Sequence, residues 1–454
     1  MILIYDSLTR RKRALIQPGH KVNLYVCGIT ASGYAHLGHA FAAMVFEVLH
    51  RYLNFRGYFV KRVQNFTDVD DKIITKANQE GLSTIEVAEK YIQAYFEDMD
   101  ALNILRADLY PRATNEIPQM ITLIRDLVDR NFAYEVNGSV YFRVNRAADY
   151  GKLSGRSLDE MLAGTRVDLD EMKEAPADFA LWKASKPTES SWPSPWGDGR
   201  PGWHIECSAM AIHHLGESID IHGGGIDLIF PHHENEIAQS EAHTGFVPFV
   251  SIWMHNGHIR FAGEKMSKSL GNLIRVRDAL QRHSSDAIRL WMLGSHYRAP
   301  LLYEEHSIDS QERALRRLRS AATLDSPSGL RNVNPEPYRD AFISAMDDDL
   351  NTSAALASIF GLAHEINRGR DNHLSVTAAQ AVLWEHASVL GFTLEAPRTS
   401  DSSLTDDSIQ QLVKRRSELR NEGSYKEADL IRNELADEGI LLSDSAEGTS
   451  WSRT

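Results

Sequence analysis

The stretch VNLYVCG, residues 22–28, is apolar and ends on glycine, and HLGHAFAAMVFEVLHRYLNFRG, residues 36–57, follows it with helical apolar spacing. YFVKRVQNF, residues 58–66, then reads as a second strand. A strand, a helix and a strand within about 50 residues make a βαβ unit, whose natural setting is a parallel sheet. The fold class expected from this stretch is therefore α/β.

The pattern can be followed outward. DVDDKIITKANQEG reads as a loop and a helix, and residues 83–133 as helical throughout. YEVNGSVYFRV, residues 134–144, reads as a hairpin turning at Asn137-Gly138. A loop-rich segment with two tryptophans, Trp192 and Trp196, leads on to residue 200. Such a segment inside an α/β pattern predicts an insertion between two halves of one sheet domain. WHIECSAMAIHHLG and ESIDIHGGGIDLIF resume the alternation. From about Arg275 the pattern is almost entirely helical, with a linker at 397–407, a charged helix pair and a short tail, EGTSWSRT.

Bulk properties narrow the function. At 454 residues the chain exceeds one core. The short apolar start followed by a basic cluster is the wrong order for a secretory signal, and no apolar run reaches the roughly 20 residues of a membrane helix. A cytoplasmic protein without a membrane role is expected. A net charge of −13 argues against coating nucleic acid by bulk attraction. The two cysteines, Cys27 and Cys207, are too few for a disulfide scaffold.

Three short stretches carry chemistry. HLGH places His36 and His39 where a helix opens after a strand, and helix N-termini attract phosphate. Taken alone, the pair reads as a helix cap. GEKMSKSLGN, residues 263–272, holds Lys265 and Lys268 in a glycine-bounded polar loop, which alone reads as surface. FPHHENEIAQ, residues 230–239, sets His232 and Glu236 four apart, on one face of a helix. Zinc takes Cys sulfur, His nitrogen and carboxylate oxygen. Strand ends in a parallel sheet converge on one crevice, so Cys27, Cys207, His232 and Glu236 can map to one side of the fold. Chance burial of the two thiols is the blander alternative.

HLGH and KMSKS together resemble the two signatures of class I aminoacyl-tRNA synthetases. A wider set, YVCGIT, NFTDVDDKI, RPGWHIECSAM, DIHGGGIDLIFPHHENEIAQSEA and MDDDLNT, resembles the cysteinyl-tRNA synthetase family nearly end to end. The resemblance implies a Rossmann-type catalytic domain with an inserted connective segment, then a helical bundle and a small C-terminal domain. The expected boundaries are 1–115 and 201–260 for the catalytic halves, 116–200 for the insertion, 261–320 for the KMSKS loop and stem-contact region, 321–396 for the bundle and 397–454 for an anticodon-binding region. It implies ATP-dependent activation of L-cysteine to an adenylate and transfer to tRNA(Cys) by a monomer. It implies one Zn²⁺ on Cys27, Cys207, His232 and Glu236, and ATP used with Mg²⁺. His36, His39, Lys265 and Lys268 fall on catalytic positions. Thr67 and Trp203 fall on positions lining the amino-acid pocket, Gly224 and Asp227 on positions near adenosine, and His204 and His233 beside them. By the same resemblance Lys268 is expected to contact the ATP phosphates. Arg313, Arg316, Arg317 and Arg319 would meet tRNA phosphates, and Lys414, Arg415, Arg416, Arg420 and Trp451 are candidates for reading the anticodon.

The sequence departs from the family pattern at Ser32 and Gly33, where a Tyr-Asp pair is common, and at Phe41 and Ala42, where Arg-Thr often follows the signature. A second reading is a ligase joining cysteine to a glucosaminyl-inositol in mycothiol synthesis, which resembles the same catalytic domain. HHENEIAQ and the tail at 408–454 favour the synthetase.

Overall fold

In a computed structural model, the chain is described for all residues except 16–18, 158–159, 161–171, 187–189, 262–263, 266–272, 305, 324–330, 395–404, 438–439, 446–447 and 454. It divides into two compact units, Met1–Thr393 and Leu394–Thr454.

The first unit opens with a hairpin, β1 (Leu3–Asp6) and β2 (Arg11–Ala14). The βαβ unit follows: β3 (Lys21–Thr30), α1 (Leu37–Phe55) and β4 (Phe59–Thr67). Both strands read from sequence are present, and β3 pairs in parallel with β4. Helices α2 (Asp71–Glu80), α3 (Thr84–Ala101) and α4 (Ile117–Asp129) come next.

The expectation of helix throughout 83–133 is wrong between α3 and α4. Asn103 takes a left-handed φ of 53°, and the chain then runs extended beside β4. The Gln64 and Phe66 amides donate to the carbonyls of Leu109 and Pro111, at 3.0 and 2.9 Å. The unpaired edge of β4 captures this segment, and a proline, which lacks an N–H, is tolerated at such an edge. Local propensity yields to a tertiary partner.

The hairpin around Asn137-Gly138 is present as β5 (Ala133–Val136) and β6 (Ser139–Phe142). Both turn residues have positive φ, 51° and 82°, as a two-residue turn matching strand twist requires. Strands β7 (Phe179–Ala184) and β8 (Gly199–Pro201) extend the hairpin into a four-stranded antiparallel sheet. Trp196 packs against Trp182 within it, ring centroids 6.2 Å apart.

Helix α5 (Trp203–Leu215), β9 (Ile219–Gly225), α6 (Glu234–Thr244) and β10 (Val250–Asn256) return the chain to the main sheet. Its strand order is β10-β9-β3-β4, all parallel. Connections leave β3 toward β4 on one side and reach β9 on the other. The carboxyl ends of β3 and β9 therefore flank a switch in strand order, where α/β sheets bind ligands.

The remainder is mostly helical, as expected: α7 (Val276–Leu280), α8 (Ser285–Leu293), α9 (Asp309–Ala322), α10 (Glu336–Asp347), α11 (Thr352–Asp371) and α12 (Thr377–Val389). One departure is a short three-stranded sheet of β11 (Ile259–Phe261), β12 (Glu264–Lys265) and β13 (Leu301–Tyr303). The fully buried Arg289 of α8 ties these helices to α1. Its guanidinium donates to Glu47 at 3.0 Å and to the carbonyls of Leu102, Asn103 and Leu390 at 3.1, 2.7 and 2.9 Å. A buried charge needs partners of this kind.

In the second unit, α13 (Asp406–Asn421) and α14 (Tyr425–Asp437) form the expected helix pair. The terminal segment is not a loose tail. Gly448–Arg453 is a strand, β15, paired antiparallel with β14 (Ile440–Ser445). Leu442 and Trp451 pack with Ile409, Val413, Leu435 and Ile440.

Gly28 sits at an irregularity of β3 between Val26 and Ile29. A Cβ there would lie 1.6 Å from the carbonyl oxygen of Asn65 on β4. Gly28→Ala is therefore expected to destabilise the first unit by at least about 1–3 kcal/mol, read as a lower urea midpoint. An unchanged midpoint would show that the β3–β4 spacing is not as tight as described.

Candidate metal and substrate site

Cys27 ends the regular part of β3, and Cys207 lies in the second turn of α5. Their sulfurs are 3.6 Å apart. His232 belongs to a wide turn, Ile229–His233, that precedes α6, and Glu236 lies in the first turn of that helix. Wide turns of this kind recur at functional sites. His232 Nε2 is 3.0 Å from Glu236 Oε1, which is 3.4 Å from Cys27 Sγ. The donor atoms of all four residues lie within 4.8 Å of one another.

These separations can be set against a tetrahedral zinc ion. With Zn–S near 2.3 Å and Zn–N or Zn–O near 2.1 Å, the edges of the tetrahedron are about 3.8 Å for S–S, about 3.6 Å for S–O and about 3.4 Å for N–O. The observed 3.6, 3.4 and 3.0 Å are each slightly contracted. Glu236 is fully buried, and its Oε2 lacks a hydrogen-bond donor among the described residues. Burial drives the Glu236 carboxyl well above its usual range, and burial together with Cys207 does the same to the Cys27 thiol. The hydrogen bond from Cys27 brings the Cys207 thiol down to about 7. Two thiols and a carboxylate in one dry cluster are poorly tolerated as anions unless a cation joins them. The donor set and its spacing fit a zinc ion.

A second layer surrounds the four. His222 of β9 lies 3.5 Å from Cys27 Sγ and 3.4 Å from Glu236 Oε2. His233 Nε2 is 3.3 Å from Cys27 Sγ, while its Nδ1 meets His255 Nε2 at 2.8 Å, and His255 Nδ1 meets Ser7 at 2.7 Å. Burial holds His222 and His233 well below the usual imidazole range and His255 at about 3. Asn65 Oδ1 accepts the Gly28 amide at 2.8 Å and faces Cys207 Sγ at 3.7 Å. Sequence reading missed His222, His255, Asn65 and Ser7. His222 was legible in principle, standing just before GGG at the end of an apolar strand. Ser7 and His255 meet through the fold and carried no local signal.

Beside the cluster, Trp203 stacks on His232 with ring centroids 4.2 Å apart, and His204 Nδ1 lies 2.9 Å from His232 Nδ1. Trp203 is 41% exposed, so this wall of the site faces solvent. Thr67, at the end of β4, donates its hydroxyl hydrogen to Glu206 Oε2 at 2.7 Å. Glu206 was not singled out from sequence. Burial raises its carboxyl well above the usual range.

His36 and His39 stack at 3.6 Å and cap α1. His39 donates its amide N–H to His36 Nδ1 at 3.3 Å, and His36 donates its own to His39 Nδ1 at 3.5 Å. The cap reading thus holds for both. Leu37 N–H donates to the Ile274 carbonyl at 3.0 Å, and Val276 N–H to that of Ala35 at 3.1 Å. The segment that follows residues 266–272 is therefore bonded to the start of α1. Lys265 is placed by its backbone in β12, and Lys268 lies outside the described residues. Gly224, next to last in β9, lies against His233: a Cβ on it would lie 2.8 Å from Leu228 and 3.0 Å from the His233 ring. Asp227, half exposed on the next turn, has its carboxylate 3.9 Å from His258 Nδ1. Phe41 is buried in α1.

The arginines of α9 divide: Arg313 and Arg317 are exposed, while Arg319 turns back toward Glu312 at 3.7 Å. In the second unit Arg416 is buried, its guanidinium 3.5 Å from the Thr449 hydroxyl, and Trp451 belongs to the core. The helix pair and hairpin have too small a core to leave either out.

Residues 15–313 match the family of class I (C) tRNA synthetase catalytic domains, and residues 341–395 match the DALR domain. A cysteine–tRNA ligase of Dehalococcoides mccartyi is 50% identical over 451 residues, covering 99% of both chains. One from Alkalilimnicola ehrlichii is 49% identical, covering the whole of both. The chain belongs to the cysteine–tRNA ligases. Among solved structures, methionyl-tRNA synthetase of Mycobacterium tuberculosis in complex with methionyl-adenylate has a TM-score of 0.58 at 16% identity, covering 82% of this chain and 89% of that one. That likeness is one of fold: α/β, as the βαβ stretch predicts, and class I, as the resemblance of HLGH and KMSKS implies.

Thr67→Val keeps the side-chain volume but leaves Glu206 without its donor in a buried site. It is expected to lower stability by about 1–3 kcal/mol, with Thr67→Ser close to wild type. Equal denaturation midpoints for all three proteins would mean that the Thr67–Glu206 bond holds nothing.

Proposed function

We infer that the enzyme activates L-cysteine with ATP and transfers it to the 3′ end of tRNA(Cys), and that a zinc ion at Cys27, Cys207, His232 and Glu236 selects the substrate thiol. The aminoacylation rests on end-to-end identity with the cysteine–tRNA ligases. The metal reading is supported by the convergence of both thiols with His232 and Glu236 at the carboxyl ends of β3 and β9. When bound there, zinc supplies a soft Lewis-acidic centre that favours an ionised sulfur over a hydroxyl, a choice an apolar pocket makes by only about 10–200-fold.

The chain's own groups then have separate tasks. His222 and His233 sit beside Cys27 and Glu236 and fix their orientation. Thr67 and Trp203 line the amino-acid pocket, with Glu206 holding Thr67 and His232 holding Trp203. Gly224 and Asp227 receive adenosine. His36 and His39, at the positive end of α1, donate to the phosphates as charge spreads over them. Lys265 and Lys268 neutralise that charge, together with the Mg²⁺ that accompanies ATP. The backbone bonds of Ile274 and Val276 to the start of α1 support bringing the lysine loop to the histidines. The cysteine carboxylate attacks the α-phosphorus and pyrophosphate leaves; a hydroxyl of the terminal ribose of tRNA then attacks the acyl carbon of the adenylate, taking the acyl group and releasing AMP.

The six-part division of the chain and its assignment as a cytoplasmic monomer belong to the same reading. No helix among the described residues is long and apolar enough to cross a membrane. Arg313 and Arg317, exposed on α9, are the arginines there best placed for tRNA phosphates. Arg415 and Arg420, on α13, are better suited to the anticodon than the buried Arg416. Ligation of cysteine to an amino sugar is disfavoured, because the similarity to tRNA ligases runs through the last residues.

Cysteine-dependent exchange of pyrophosphate into ATP is expected from the purified protein, with tRNA(Cys) rather than glucosaminyl-inositol as the acceptor. Cys207→Ser should lose bound zinc and about 100-fold or more of the exchange, since even outer partners of a metal are worth 10–100-fold. A folded Cys207→Ser protein with full exchange would overturn the metal assignment and leave the aminoacylation standing.

A further inference from the structure

Away from the substrate site, the far end of α5 carries a second group of metal-type donors. His213 and His214 are consecutive residues in the last turn of α5, and Glu116 immediately precedes α4. Consecutive helical side chains point about 100° apart and do not ordinarily converge. Here both reach one carboxylate, by different nitrogens. His213 Nδ1 is 2.7 Å from Glu116 Oε2, and His214 Nε2 is 2.8 Å from Glu116 Oε1. Their rings lie with centroids 4.4 Å apart.

We propose that Glu116, His213 and His214 form a second metal site, for a borderline divalent ion such as Zn²⁺ or Ni²⁺, with water completing the coordination. Two nitrogens and a carboxylate oxygen match the donor set of open, water-bearing zinc sites. The three donor atoms lie within 4.8 Å of one another. The Glu116 side chain is 8% exposed, and its ion pairs among the described residues are with these two imidazoles alone. A buried carboxylate is best held by a full positive charge, and an imidazole supplies one only when protonated. The Lys61 ammonium is committed to the His214 carbonyl at 2.7 Å. The His213 side chain is 46% exposed, which leaves a path for the ion and its waters.

The present gaps of 2.7 and 2.8 Å are those of hydrogen bonds. An ion displacing the two bridging hydrogens must widen them by about 0.6 Å, toward the N–O edge of a tetrahedral site. The exposed His213 side chain at the helix end can make that move. The ion would join α4, α5 and, through Lys61, β4. Helix α5 also bears Trp203 and Cys207, but in its first two turns, away from His213 and His214.

Metal-free full-length protein titrated with Co²⁺ tests the proposal. Wild type is expected to bind a second equivalent that lacks the thiolate-to-cobalt absorption of a cysteine-ligated ion. His213→Ala and His214→Ala should each weaken that equivalent at least tenfold. Cysteine-dependent pyrophosphate exchange by the zinc-loaded variants should stay at the wild-type level. A wild type that binds no thiolate-free equivalent would overturn the proposal, as would variants that keep it at unchanged affinity. The thiolate band reports Cys27 and Cys207 separately, so failure of one site is not read as failure of the other.

Discussion

Two thiols held 3.6 Å apart against a fully buried carboxylate are the constraint around which this structure is arranged. Neutralised by protons, the groups would be a small polar defect in a well-packed sheet. With a cation they become a rigid centre that needs every neighbour in place. The surrounding shell is built accordingly: His222, His233 and His255 are buried and held uncharged, so each can offer a nitrogen without adding positive charge of its own. Asn65 fixes the backbone next to Cys27 while facing Cys207.

The sheet explains why these residues can meet. Cys27 and Cys207 are 180 positions apart in sequence. They come together because β3 and β9 are adjacent parallel strands whose carboxyl ends open at the change in strand order, and because α5 enters the sheet just before β9. Close backbone approach makes the packing possible. Gly28 lies against Asn65, and Gly223 leaves room for Phe46 of α1, whose ring a Cβ would approach to 2.1 Å. Helix α1, whose first residues include His39, is thereby pressed onto the strand that ends beside the metal-type donors. The donors grouped around Cys27 and the histidines that cap α1 thus share one floor.

Much of this could be read from the sequence, and the misses have physical causes. The βαβ unit was legible because its apolar spacing changes cleanly from strand to helix to strand. The grouping of Cys27, Cys207, His232 and Glu236 was legible because two cysteines and an HHENE run are scarce residue types with few other uses. The extended segment after α3 was not, since the edge of β4, not local propensity, decides its conformation. The C-terminal strand was missed because EGTSWSRT is mostly polar and its partner strand alone gives it shape. His255 and Ser7 meet only through β10 and the first hairpin, nearly 250 residues apart. The anticodon candidates were chosen for charge or, in Trp451, for a stacking ring; burial removes Arg416 from the surface, and Trp451 packs against the small core.

The central claim is that the two thiols, His232 and Glu236 hold a zinc ion that takes the substrate sulfur as a further ligand. X-ray absorption at the zinc edge tests it most directly. The account predicts a zinc signal whose first shell contains two sulfurs in the purified enzyme and a third when L-cysteine is added, but not when L-serine is added. A shell with no sulfur, or one unchanged by cysteine at saturating concentration, would contradict it.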